Sequence, residues 1–184
     1  ALEDRDEAVR AAATAALGEL SKPQYFEALR RSVTDPAILV RIEAMRALSR
    51  SREPAAAALL AQGLKDDDLR VRAQALTGLS RIPDANTTGL LQEALENATA
   101  SEIQLKAMAG LALRGQRVDT GLAGAILKQK DSDLRAIAIE VLRNARDDES
   151  RALLARALET DPDARLRVQA AAALVRRLSG GGAR

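Results

Sequence analysis

Apolar residues recur along this chain in two alternating phases. The first reads hydrophobe, basic residue, two positions, Ala, three positions, Leu. It appears as Val9-Arg10, Ala13, Leu17; Val40-Arg41, Ala44, Leu48; Val71-Arg72, Ala75, Leu79; Leu105-Lys106, Ala109, Leu113; Leu134-Arg135, Ala138, Leu142; and Leu166-Arg167, Ala170, Leu174. The second fills the gaps with Leu29 and Val33, Leu60 and Leu64, Leu91 and Leu95, Leu122 and Ile126, and Leu154 and Leu158. Steps of four residues keep side chains on one stripe of a helix, so both phases predict amphipathic helices. The final Leu of the first phase returns at intervals of 31, 31, 34, 29 and 32 residues. A fixed period of this length predicts an array of two-helix units. The uneven 34 and 29 are read as a longer loop at 96–101 and a shorter one at 115–119.

Eleven helices follow. The A helices are predicted near 22–33, 53–64, 85–95, 118–129 and 148–159, and the B helices near 5–19, 36–50, 67–81, 101–114, 132–145 and 162–178. Asp35-Pro36 and Asp161-Pro162 read as a capping Asp before a first-turn Pro. Pro23, Pro54 and Pro83 fall between helices or at first turns, where a missing N–H costs least. The expected fold is all-α: a solenoid of about five and a half repeats over 1–178, opening on an unpaired B helix, with a flexible tail at 179–184. The chain begins on Ala inside a helical pattern, which reads as a segment of a larger protein.

Composition narrows the chemistry. Aromatic residues make up 1% of the chain, as Tyr25 and Phe26, which is poor material for stacking bases or caging a cofactor. Cys and His are both absent, and there is no Gly-rich phosphate loop, so the sequence carries no catalytic, cofactor-binding or metal-ligating constellation, and no enzyme activity and no cofactor are expected. Net charge is +2, with cations and anions mixed at both edges of the array. That mixture argues for a weak net field and against a nucleic-acid partner. No stretch approaches the 18 or so apolar residues that would span a membrane.

The string Lys65-Asp66-Asp67-Asp68-Leu69-Arg70-Val71-Arg72-Ala73-Gln74-Ala75-Leu76 resembles the B helix of a HEAT repeat. The period resembles the short HEAT-like variant of bacterial proteins, the phycobilin-lyase type included. The resemblance implies an α-solenoid and a structural ladder at Arg10, Arg41, Arg72, Lys106, Arg135 and Arg167. In HEAT repeats the residue at this position bonds to Asp side chains or carbonyl groups at the A–B turns.

Removing the core positions leaves a B-helix face on which Arg46, Arg50, Gln74, Arg81, Gln104, Met108, Leu111, Ile137 and Glu140 are candidate partner contacts. Met108, Leu111 and Ile137 are expected to form its apolar centre, with Arg-rich flanks. The reading is a protein-interaction scaffold that binds a partner protein along this face. The alternatives are a nucleic-acid-binding solenoid and a non-catalytic subunit of a bilin-lyase-like, cofactor-attaching enzyme. The uncovered stripe of the first helix also predicts end-to-end self-association through that helix.

Overall fold

The computed structural model describes residues 1–20, 22–51, 53–82 and 84–180. These form eleven α-helices and no strand among the described residues: α1 (Glu7–Leu20), α2 (Phe26–Ser32), α3 (Ile38–Leu48), α4 (Ala56–Gly63), α5 (Leu69–Ser80), α6 (Ala85–Asn97), α7 (Ser101–Leu113), α8 (Gly121–Ile126), α9 (Ser132–Asn144), α10 (Asp148–Thr160) and α11 (Ala164–Gly180). The odd-numbered helices are the B helices and the even-numbered ones the A helices of an all-α repeat fold. A 3₁₀ turn over Pro23–Tyr25 leads into α2. Helix α11 continues to Gly180, two residues into the expected tail. The remainder of that tail, 181–184, lies outside the described residues, as do Pro83 and Arg52.

The helices pack as two compact units, Ala1–Ala94 and Leu95–Arg184. In the first, α2 and α4 pack on α3 and α5 across short turns, which makes helical hairpins. Helices α1 and α3 lie side by side and run the same way. Near their N-terminal ends Arg10 reaches Asp35, and near their C-terminal ends Gly18 sits against Ala47, whose Cα lies 2.9 Å from where a Cβ on the glycine would be. Only a residue without a side chain allows that approach. Val40, Ala44, Met45, Leu48, Leu60, Val71, Ala75, Leu76 and Leu79 fill the core of this unit. The hydroxyls of Thr14 on α1 and Ser32 on α2 meet inside it at 3.1 Å, and each has a carbonyl one turn back within reach, so one hydroxyl donates to its carbonyl and accepts the proton of the other.

The second unit is built around Leu105, Met108, Ile126, Ala138, Ile139, Val141, Leu142, Leu154, Leu166 and Ala170. Two connections differ from the expected ones. The stretch between α6 and α7 is the short segment 98–100, because both flanking helices run 13 residues. The link from α7 to α8 is longer than expected and spans 114–120. It starts with a tight helix stop in which Gly115 takes φ 74°. Gly115 donates its N–H to Ala112 O and Gln116 to Leu111 O, which closes the last carbonyls of α7. Helix α8 keeps only Gly121–Ile126 of the predicted 118–129. Asp119 accepts the Gly121 N–H at 2.8 Å and holds its start, and beyond Ile126 the chain tightens into i to i+3 bonds at Lys128 and Gln129.

Candidate functional site

Six side chains occupy one position, the fourth residue of each B helix, and reach back over the preceding turn. Arg10, Arg41, Arg72, Arg135 and Arg167 each donate Nη1 to the carbonyls six and five residues earlier. Those carbonyls precede the helix and have no intrahelical partner, so a cation there satisfies groups the turn would otherwise strand. Three of the guanidinium groups also grip a carboxylate of the following repeat through two parallel bonds. Arg10 holds Asp35 (2.9 and 2.9 Å), Arg41 holds Asp66 (2.7 and 3.0 Å) and Arg135 holds Asp161 (2.9 and 3.1 Å). The same carboxylates accept the N–H two residues on, from Ala37, Asp68 and Asp163.

This geometry corrects the reading of Asp35 and Asp161 as helix caps. The α3 cap position is Ala37, and α11 begins only at Ala164. Each Asp folds the turn two residues earlier and ties it to the neighbouring repeat. The charges respond. The Arg10 guanidinium holds the Asp35 carboxyl below the usual carboxylate range. At Asp66 and Asp161 burial works to raise the pKa, but the guanidinium and the backbone N–H outweigh it and the net shift is downward. Asp68, the cap of α5, is lowered to about 2, chiefly by its bond with Arg70.

The sixth ladder position corrects the sequence reading. Its occupant is Gln104 and not Lys106. Gln104 is the fourth residue of α7 and donates Nε2 to Ala98 O, six residues back, at 2.9 Å. Lys106 lies two residues further on and is half-exposed. Shifting the repeat by two makes its stripe Ile103, Ala107 and Leu111, all buried. The terminal Leu then recurs at 31, 31, 32, 31 and 32 residues, and the apparent loop irregularity disappears. The wrong register matched because Leu105-Lys106, Ala109 and Leu113 happen to copy the pattern. Ala98 and Gln129 stand where the other repeats have the ladder Asp, so no carboxylate is available to pair at those two steps.

The same shift corrects the candidate surface. Met108 and Leu111 are buried, at 3% and 4% exposure, because in the true register they are core positions equivalent to Leu76 and Leu79. Gln104 is committed to the ladder. Leu113, assigned to the core stripe, is 57% exposed at the end of α7 and belongs to the surface instead. In the first unit Arg46, Arg50 and Arg81 are exposed and Gln74 is half-buried, and Arg46 is held by Glu43 at 3.0 Å. In the second unit Ile137 and Glu140 line a groove of about 340 Å³ between α9 and α11, together with Ala136, Ala172, Gln169, Arg143 and Arg176. Arg143 pairs with Glu140 at 3.2 Å. Arg143 also borders a second hollow of about 980 Å³ that contains Leu113, Arg117 and Arg146. Carboxylates there are drawn into helix starts: Asp119 accepts from Gly121 and Asp147 from Ser150. Among the described residues no group of three or more His, Cys, Asp or Glu is placed to hold a metal ion, and no helix is long and apolar enough to cross a membrane.

Hairpins stacked through an Arg–Asp ladder define a helical-repeat protein. The profile of HEAT repeats matches residues 1–80. Among solved structures, the chain is similar to the complex of CpcE and CpcF of phycocyanin lyase from Nostoc sp. PCC7120, at TM-score 0.64 and 20% identity over 92% of this chain and 71% of that one. It is similar to a designed armadillo repeat protein in complex with peptide (KR)4, at TM-score 0.52 and 16% identity over 94% and 95%. Human deoxyhypusine hydroxylase is similar at TM-score 0.50 and 20% identity over 97% and 71%. At these identities the likeness is one of fold. No curated protein matches the sequence.

Proposed function

We propose that this chain is a protein-interaction scaffold whose partner lies along the B-helix face, with its main footing in the groove between α9 and α11. The observation that carries this reading is the make-up of that groove. Ala136, Ala172 and Ala173 give a low floor that leaves room for a partner's side chains, Ile137 adds apolar area, and Arg176, Gln169 and the Arg143–Glu140 pair line its edges, with guanidinium groups outnumbering the carboxylate. An apolar floor with guanidinium groups at its edge fits an extended segment that alternates apolar and acidic residues. The similar designed armadillo repeat protein holds a peptide, of the opposite charge, in its own complex.

Fluorescence anisotropy with an extended peptide of alternating Leu and Glu, against one of alternating Leu and Lys, tests this. The acidic peptide should bind more tightly, and Arg143→Glu with Arg176→Glu should weaken it at least tenfold. Arg31→Glu, on an A helix, should leave it unchanged. Equal binding of the two peptides would defeat the reading. Tight binding of duplex DNA with a steep salt dependence would favour the nucleic-acid alternative.

A further inference from the structure

The hollow of about 980 Å³ beside the end of α9 has a lining that the ladder does not account for. It opens where the link from α7 to α8 spans 114–120, whereas the link from α9 to α10 spans only 145–147. The shorter link is closed by a hydroxyl. Ser150, four residues before the buried Leu154, directs its Oγ at the carbonyls of Ala145 and Asp147. Thr87, four residues before the buried Leu91, does the same with the carbonyls of Ile82 and Asp84. Thr120 stands four residues before the buried Gly124 and is 3% exposed, yet in the longer link its hydroxyl meets no partner among the described residues. A buried hydroxyl left open is costly unless something bonds to it, and Thr120 lines the hollow.

The rest of the lining suits a carboxylate with an apolar neighbour. Arg117 and Arg146, one from each link, are exposed, and neither pairs with a carboxylate among the described residues. Two of the three carboxylates at the hollow are engaged at helix starts: Asp119 accepts the Gly121 N–H at 2.8 Å and Asp147 the Ser150 N–H at 2.6 Å. The third, Glu149, lies in the first turn of α10, where the helix dipole favours it. Formal charges balance, but the donors left open outnumber the acceptors left open. Leu113, 57% exposed, and the half-buried Val118 supply apolar area beside them.

Arg143 borders both this hollow and the α9–α11 groove, so the two meet at the C-terminal end of α9. Packed helices lie about 8–10 Å apart and an extended chain covers about 3.3 Å per residue, so about three residues carry a segment from one to the other. We propose that the acidic and apolar segment held in the groove continues past Arg143 into the hollow, where an apolar side chain packs on Leu113 and Val118 and the next carboxylate is held between Arg117 and Arg146. The Thr120 hydroxyl gains a partner in that segment. This extension rests on the α9–α11 reading and adds the reach of the partner: about ten residues in contact rather than about six.

Fluorescence anisotropy on the full chain, with peptides of alternating Leu and Glu of about six and about ten residues, tests this. The longer peptide should bind about tenfold more tightly. Arg117→Glu with Arg146→Glu should abolish most of that gain and leave the shorter peptide within about twofold of its wild-type affinity. Leu113→Ala should remove part of the gain. Arg31→Glu with Arg156→Glu, an equal charge change on exposed positions of α2 and α10, should leave the gain in place. All these positions are exposed, so melting should match the wild type. If both lengths bind equally, and more tightly than their Leu and Lys counterparts, the hollow is no seat and the groove reading stands. If neither binds more tightly than its Leu and Lys counterpart, both readings fall. A gain that survives Arg117→Glu with Arg146→Glu, or that the α2 and α10 changes abolish as well, comes from chain length or net charge and would also overturn the proposal.

Discussion

Asp161→Ala removes the most deeply buried ladder carboxylate. The side chains of Arg135 and Asp161 are 4% and 2% exposed. Deleting the carboxylate leaves the Arg135 guanidinium in place with only the carbonyls of Gln129 and Lys130, and it takes the acceptor from the Asp163 N–H at the entry to α11. Breaking a buried pair by removing one partner costs about 3–5 kcal/mol. Domains are stable by roughly 0.05–0.15 kcal/mol per residue, so this loss is a large part of the stability of the second unit. Asp66→Ala, in a pair with more solvent access, should cost less, about 2 kcal/mol. Urea unfolding followed by circular dichroism measures both, with an unchanged m-value showing that the unfolded reference is the same. Adding Arg135→Met to Asp161→Ala should recover at least about 1 kcal/mol relative to the sum of the single changes, since no orphaned charge remains. Asp161→Ala within about 0.5 kcal/mol of wild type, or strict additivity in the cycle, would refute the account of the ladder.

Three further outcomes are expected. Leu111→Ala should cost about 2–5 kcal/mol and Leu113→Ala under about 0.5 kcal/mol in urea unfolding, and the reverse order would restore the register written around Lys106. Gly78→Ala should destabilise by roughly 1–2 kcal/mol, because its Cβ would stand 2.6 Å from Leu60 Cδ2 while helix propensity returns only part of the loss; Gly89→Ala, with nothing within 4 Å, should instead raise stability by about 0.8–1 kcal/mol. Asp35, Asp66, Asp68 and Asp161 all have lowered pKa values in the folded chain, so their contribution is complete above the unfolded carboxylate value of about 4 and is lost as pH falls through the folded values, for Asp68 about 2. The urea midpoint should therefore hold steady from pH 8 to 5 and fall below about 4; a step near pH 6 would contradict this, since the chain has no His to titrate there.

The helical-repeat fold was legible in the order of residues alone. Apolar steps of four and a period near 31 leave little choice but stacked hairpins, because each helix can bury its stripe only against neighbours. The basic residue beside the first hydrophobe of each repeat was visible too, and at five of six repeats it is the fourth residue of its helix. Tertiary structure decided the rest. The sequence pattern favours Lys106 over Gln104, since both registers of α7 offer a hydrophobe, Ala and Leu at helical spacing and only the first of the two positions is basic. The choice falls to where the helix begins, and Ser101 as the first residue of α7 makes Gln104 the fourth, within reach of the Ala98 carbonyl. That rotation of roughly 200° in helical phase, two residues at 100° each, carries Leu113 to the surface and Met108 and Leu111 into the core. The carboxylates at Asp35, Asp66 and Asp161 were also visible as charges near helix starts. Their partners lie 25 or 26 residues earlier in the chain, and only the stacking of one repeat on the next brings them within 3.1 Å.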